Sequence, residues 1–333
     1  MIRPSTDDSR RRMPGGHDRT LGRSGPGMQQ QEECLARAGA RDAREWIRRF
    51  KRGDLEGAWA LTDRIRARSG PWQDSDTPRH LQQVWNGSDM RDRRILIRCY
   101  HGLGDTIQFI RYAPLVQSLA RELIVWAQPA LLPLLRSTPD IGQLLPLHDG
   151  SPEVEYDVDI EIMELPYAFR TTISTIPNEV PYLTVEPAVL PGRRPRVGLV
   201  WRAGEWDQRR SMSFHTLATL FEIERVSWYG LQADARPDEV HPKLHSLVLG
   251  GVMRTAQVMR GLDLVISIDS MTAHLAGALG IPVWTLLAHD ADWRWMQDRN
   301  SSPWYPTMRL FRQPVPGDWP GVMTQVRRRL TWA

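Results

Sequence analysis

The sequence predicts an α/β protein with two successive parallel-sheet units and a short helical region in front of them. Three observations predict it. Short, continuous apolar runs alternate with segments whose apolar residues recur at helical spacing, the mark of strands buried under helices. This alternation occurs twice. A proline-rich stretch with Pro177, Pro181, Pro187, Pro191 and Pro195 separates the two series and reads as a semi-rigid link.

Residues 1–30 hold Arg3, Arg10, Arg11, Arg12, Arg19 and Arg23 among Gly, Ser and Pro, and read as a disordered basic tail. Residues 31–88 read as helical, with Ala43, Trp46, Phe50, Leu55, Trp59 and Ile65 near helical spacing and a turn at Gly53-Asp54. One such pair resembles a tetratricopeptide-like remnant.

In the first unit, residues 94–190, strands are expected at Ile95–Tyr100, Leu123–Trp126, Ile141–Leu147 and Val158–Met163. Helices are expected over Thr106–Leu119 and Ala130–Arg136. In the second unit, residues 196–333, strands are expected at Val197–Trp201, Val226–Leu231, Leu244–Leu249, Leu264–Ile268 and Pro282–Leu286. Helices are expected at Thr255–Arg260, Thr272–Leu279 and Gly321–Leu330, the last crossing back to the first unit. Ligands of such sheets bind beyond the carboxyl ends of strands, so the natural site is the cleft between the units.

Bulk properties exclude several classes. Formal net charge is +4, with 41% hydrophobic and 25% charged residues, an ordinary globular balance. No apolar run approaches the ~18 residues of a membrane span, and no secretion signal opens the chain, so a cytoplasmic protein, at most peripheral at the inner membrane, is expected. Cys34 and Cys99 read as two free thiols. No zinc spacing, calcium loop, Walker loop or nucleic-acid motif is present.

Four polar segments could carry chemistry. In His101-Gly102-Leu103-Gly104-Asp105-Thr106 the glycines let backbone approach a ligand, and Asp105 could take a proton from an acceptor hydroxyl or cap the helix. In Ser267-Ile268-Asp269-Ser270-Met271-Thr272-Ala273-His274 an apolar strand ends in polar residues where a helix opens. Free N–H groups there suit a diphosphate, with hydroxyls of Ser270 and Thr272 as added donors. In Trp201 to Ser211 the sequence WRAGEWDQRRS offers Arg209 and Arg210, beside Ser211, as bidentate phosphate partners. The aromatic run from Asp292 to Pro306 could stack on a sugar or base, or pack the seam between units.

Together these stretches resemble the heptosyltransferase-like glycosyltransferases, in the branch where tetratricopeptide repeats precede the transferase. The matching stretches are RCYHGLGDTIQFIR (Arg98–Arg111), Val197–Trp201, LDLVISIDSMTAHLAGALGIP (Leu262–Pro282), and Asp292–Trp319 with DWRW, SPWYPTMRLFRQP and GDW. The resemblance implies two facing Rossmann-like domains of the GT-B type, an inverting reaction and no required metal. It implies Asp105 as general base, and Asp269, Ser270 and His274, with Thr272 inside the motif, as donor contacts. Gly102 and Gly104 belong to the same donor-binding set. Where relatives carry an Asn-Pro-x-His-x-Asn loop this chain has RAGEWDQRRS, which shifts the phosphate contact to Arg209 or Arg210.

The implied co-substrate is a nucleoside-diphosphate sugar, ADP-heptose in the first place, and no other cofactor. The acceptor is a saccharide, a lipid-linked saccharide or a protein hydroxyl, and the N-terminal helices offer a face to a protein partner. Two other readings stay open: a non-catalytic nucleotide- or sugar-binding module, and an epimerase-like enzyme of the same architecture.

Overall fold

The computed structural model describes residues 41–69, 85, 87–204 and 207–330. The basic tail, Cys34, Glu205 and Trp206 lie outside the described residues, as do residues 31–40 and 70–84 of the expected helical region.

Helix α1 (41–51) and helix α2 (Leu55–Ser69) form the expected pair, while residues 87–88 at the end of the expected region are irregular rather than helical. Gly53 turns the chain with φ of +78°, a conformation a side chain would strain. Asp54 receives the Gly57 amide at 2.9 Å, closing the start of α2.

The first sheet has four parallel strands, β1 (Arg94–Arg98), β2 (Glu122–Ala127), β3 (Gln143–Pro146) and β4 (Val158–Glu161), in the order β3-β2-β1-β4. The long helix expected after β1 is broken. Helix α3 (Leu103–Phe109) and helix α4 (Ala113–Leu119) are joined by a 3-10 turn at Ile110–Tyr112. Pro114 explains the break: it has no N–H to donate and its ring conflicts with the carbonyl four residues back, at Ile110. Helix α5 (Leu132–Arg136) precedes β3. Strand β4 stops at Glu161, short of the expected Met163, because the Glu161 carboxylate accepts the Met163 amide at 2.6 Å and starts a 3-10 turn. Helix α6 (Leu165–Ala168) follows.

The proline-rich link lies against the second unit. The amides of Tyr182 and Leu183 both donate to the carbonyl of Ala278, and that of Ala188 donates to Gln257 at 2.8 Å. Leu183 and Leu190 are buried.

The second sheet has six parallel strands: β5 (Arg196–Val200), β6 (Ser227–Gly230), β7 (Leu244–Ser246), β8 (Leu264–Ile268), β9 (Val283–Leu287) and β10 (Met308–Arg312). Their order is β10-β9-β8-β5-β6-β7. Counted from the first strand of each sheet, the order is 3-2-1-4 in one and 3-2-1-4-5-6 in the other, the doubly wound arrangement. Strand β10 was not expected; its Met-Arg-Leu-Phe-Arg sequence half-alternates, as an edge strand should. Helices α7 (Phe214–Ala218), α8 (Val252–Arg260), α9 (Met271–Ala278) and α10 (Trp319–Leu330) cover this sheet. Among the described residues the last helix, expected to return to the first unit, packs chiefly within the second. Helix α10 buries Trp319, Val322, Met323 and Val326 on one stripe and packs on α7 and β10. Among the described residues no helix is long and apolar enough to cross a membrane.

The two sheets reverse strand order between β1 and β4 and between β5 and β8. The loops that follow these four strands therefore open into two crevices. The crevices meet where the start of α3 packs against the start of α9.

Candidate active site where the two sheets meet

Four loops supply the polar residues of this meeting point. After β1, Gly102 stands at the start of α3 in extended conformation, and the Asp105 carboxylate folds back to accept its amide at 3.0 Å. The other oxygen of Asp105 accepts Nη1 of Arg294 at 2.8 Å. That ion pair links the first domain to the second, between side chains only 20% and 10% exposed. Asp105 is thus both a helix cap and one half of a bridge.

Gly104 permits the approach. A β-carbon there would stand 3.1 Å from Cδ2 of His274 and 3.3 Å from Cα of Met271, tighter than ordinary contact. The two helix starts touch at this glycine, so a ligand at the start of α9 must enter beside the contact or open it.

After β8, Asp269 is buried, and its backbone carbonyl accepts Nη1 of Arg210 at 3.2 Å. Burial pushes its carboxyl up, and the charge of Asp292 adds to the effect. Ser270 begins α9, its hydroxyl 3.2 Å from that of Ser267. Thr272 and His274 are both buried, two residues apart along the same helix. His274 Nδ1 lies 2.9 Å from the Tyr305 hydroxyl, and its ring stacks on Trp295 at 5.1 Å. Burial lowers the His274 pKa well below the usual value, with Arg294, Arg111 and Arg210 adding to it. The imidazole is therefore neutral at ordinary pH.

After β5, the two candidate arginines part company. Arg209 turns outward and pairs with Asp207 at 2.9 Å, while Arg210 reaches Asp269. Ser211 receives the Ala203 amide at 3.0 Å and so closes the loop.

The fourth loop follows β9 and carries the residue that sequence reasoning missed. Asp292 accepts both the backbone amide of Arg294, at 3.0 Å, and its Nε, at 2.8 Å. This aims the guanidinium at Asp105. Burial opposes the charge of Arg294, but Asp292, Asp105 and Asp269 outweigh it and hold the group more firmly charged than usual. The aromatic residues beside it pack the seam. Phe109 of α3 meets Trp304 edge-on at 5.6 Å and lies parallel to Trp293 at 6.5 Å. In the sequence Arg294 stands between Trp293 and Trp295 in DWRW, and nothing in that run singles the arginine out from the aromatics.

A second missed residue is Glu161, at the carboxyl end of β4. It is buried, its Oε2 lies 3.7 Å from Nε2 of His101, and its other oxygen has no hydrogen-bond partner among the described residues. Burial pushes its pKa up to about 8, with Glu164 and Asp105 contributing. Nothing marks it in the sequence, because its character comes from its surroundings.

The fold and site define a two-domain parallel α/β protein with acidic and guanidinium groups gathered where the halves touch. Among the described residues no group of three or more His, Cys, Asp or Glu could hold a metal ion.

No family model matches the chain. It is 25% identical over 297 residues to Protein FlbA of Caulobacter vibrioides, covering 77% of this chain and 50% of that protein. The chain thus spans about half the length of this curated relative. Among solved structures, it is similar to the iron-containing dodecameric glycosyltransferase TibC of enterotoxigenic E. coli, with 16% identity and a TM-score of 0.49 over 74% of this chain and 81% of that one. It is also similar to the glycosyl transferase family 9 protein of Veillonella parvula, with 11% identity and a TM-score of 0.48 over 73% and 90%. E. coli ADP-heptose lps heptosyltransferase II shows 14% identity and a TM-score of 0.48 over 72% and 100%.

Proposed function

We propose that the chain is an inverting, metal-independent glycosyltransferase that moves a sugar from a nucleoside-diphosphate donor to a hydroxyl of a saccharide, lipid-linked or protein acceptor. The observation that carries this reading is the bridge from Asp105 to Arg294, with Arg210 and the start of α9 beside it. One domain offers a carboxylate and the other offers two guanidiniums and a helix N-terminus, the division of labour that direct displacement needs.

In this reading the Asp105 carboxylate takes the proton of the acceptor hydroxyl. The acceptor oxygen bonds to the anomeric carbon as the bond from that carbon to the diphosphate breaks. The electron pair leaves with the diphosphate, whose added charge Arg210 and Arg294 neutralise at the α9 N-terminus. Of the two arginines left open by the sequence, Arg210 suits the phosphate contact, since Arg209 faces away. His274, neutral and fixed by Tyr305, serves as a hydrogen-bonding wall of the donor site. The resemblance makes ADP-heptose the first donor to test. A cytoplasmic place, with access to the inner membrane for a lipid-linked acceptor, belongs to the same proposal.

The test is a donor screen by isothermal calorimetry, followed by product analysis with Asp105→Asn and Arg210→Ala. Asp105→Asn should retain donor binding and lose transfer by on the order of a hundredfold or more. Arg210→Ala should weaken donor binding about tenfold or more, the loss of one charge-assisted contact. Near-normal turnover in Asp105→Asn would overturn the base assignment. One observation favours a second reading, a non-catalytic nucleotide- or sugar-binding module: both Asp105 oxygens already hold partners. Tight binding of a nucleotide sugar without transfer or hydrolysis would establish that reading instead.

A further inference from the structure

Helices α1 and α2 touch both domains at once. On the side of the first domain, Trp59 donates its Nε1 to the carbonyl of Thr171 at 2.7 Å in a buried contact. Asp63 accepts the Tyr167 hydroxyl at 2.6 Å and both terminal nitrogens of Arg170 at 2.9 and 2.8 Å. On the side of the second domain, the carbonyl of Lys51 accepts the amide of Gln297 at 2.7 Å, and the Lys51 ammonium pairs with Asp290. Between these polar anchors lies an apolar cluster of Phe50, Leu55, Ala58 and Trp59 with Tyr167 of the first domain and Met296 of the second.

The centre of this cluster adjoins the candidate site. Phe50 is fully buried and packs on Trp293 at 4.5 Å, and Trp46 meets the same ring edge-on at 5.5 Å. Trp293 immediately precedes Arg294 and leans on Phe109, the last residue of α3, whose start carries Asp105. The hairpin therefore presses on the two short segments that hold the two halves of the interdomain ion pair.

We infer that the α1–α2 hairpin is a brace across the domain seam, and that Phe50 and Trp293 are positioning residues that hold Arg294 against Asp105. The aromatic face of the hairpin that carries Phe50 and Trp59 is covered by the two domains. A brace of this kind acts by fixing geometry: small misplacements of charged groups at a reacting centre carry large rate penalties. Its kinetic consequence rests on the transferase reading, whereas its structural consequence does not.

The experiment compares the full chain with Phe50→Ala, Phe50→Leu and Trp59→Phe by hydrogen exchange and by steady-state transfer. In Phe50→Ala, exchange should rise in three places: the hairpin, Leu103–Phe109 and Trp293–Trp295. Donor turnover should fall on the order of tenfold with a smaller change in KM. Phe50→Leu, which keeps an apolar plug, should restore most of both. Trp59→Phe keeps an aromatic ring but loses the pyrrole half of the indole and its hydrogen bond, so it should show the same three-place pattern more weakly and covers the case where Phe50→Ala does not fold. If exchange rises in the hairpin alone in the folded variants, the brace is overturned. A wild-type chain without transfer activity whose variants still show the three-place pattern would sink the transferase reading and leave the brace intact.

Discussion

Glu161 shows how a residue acquires its chemistry from its surroundings. An ordinary glutamate ionises near pH 4.5, but burial at the end of β4 holds this one protonated up to about pH 8. The folded state thus keeps a proton that the unfolded chain releases above pH 4.5. Its favourable contribution is complete below that pH and is lost as pH rises towards 8. Glu161→Gln removes this loss, because an amide does not ionise. Unfolding free energies from denaturant titration at pH 5 and pH 8.5 should show the variant gaining on the native protein at the higher pH, by on the order of a few kcal/mol. An equal difference at both values would mean that Glu161 is charged in the folded protein. Residues of this kind are where reading the sequence stops. Asp105, Asp269 and His274 could be singled out because each sits at the junction of an apolar strand and a helix. Glu161 and Arg294 could not, because burial and a partner 189 residues away give them their roles.

At the scale of elements, local rules and packing pull in different directions. Helix α9 contains Gly277, a residue that costs an α-helix up to about 1 kcal/mol against alanine. Propensity alone would favour Gly277→Ala. The structure argues the reverse: a β-carbon there would stand 2.4 Å from Cδ1 of Tyr305, a ring that is completely buried and cannot move aside. Overpacking of this kind costs about 1–3 kcal/mol, so the variant should be less stable by denaturant titration despite its better helix former. It should also disturb His274, which Tyr305 holds at 2.9 Å. A gain in stability would show that the helix and the Tyr305 loop are not packed together. The break between α3 and α4 is the opposite case, an element boundary written in the sequence by Pro114 and overlooked because the apolar spacing runs through it.

At the scale of the molecule, Arg111 ties the two sheets and their link together. From the 3-10 turn of the first domain it donates to the carbonyl of Trp304 in the second, and to Pro177 and the Tyr182 hydroxyl in the link, at 3.4 and 2.8 Å. Its guanidinium lies over the ring of Tyr305 at 4.4 Å. Arg111→Met fills the space and withdraws the donors. Each buried acceptor left without one costs about 1–3 kcal/mol, so stability should fall by a few kcal/mol. Because the loss falls on the seam, calorimetry should show one unfolding transition separating into two. A single transition at a lower midpoint would mean that the domains unfold together without this residue.

By itself the sequence determined the two strand–helix series, the proline link between them and the placing of polar residues at strand ends. These depend on periodicity and backbone chemistry, which act over a few residues and so are written locally. Strand order, edge strand β10 and the docking of α10 on its own sheet were decided only when the chain packed. So were the choice of Arg210 over Arg209 as the arginine facing the cluster, the bridge from Arg294 to Asp105, and the turn of the N-terminal aromatics onto the seam. The reason is physical: which groups meet across a domain boundary, and what burial does to their charges, depends on distances in space that spacing along the chain does not encode.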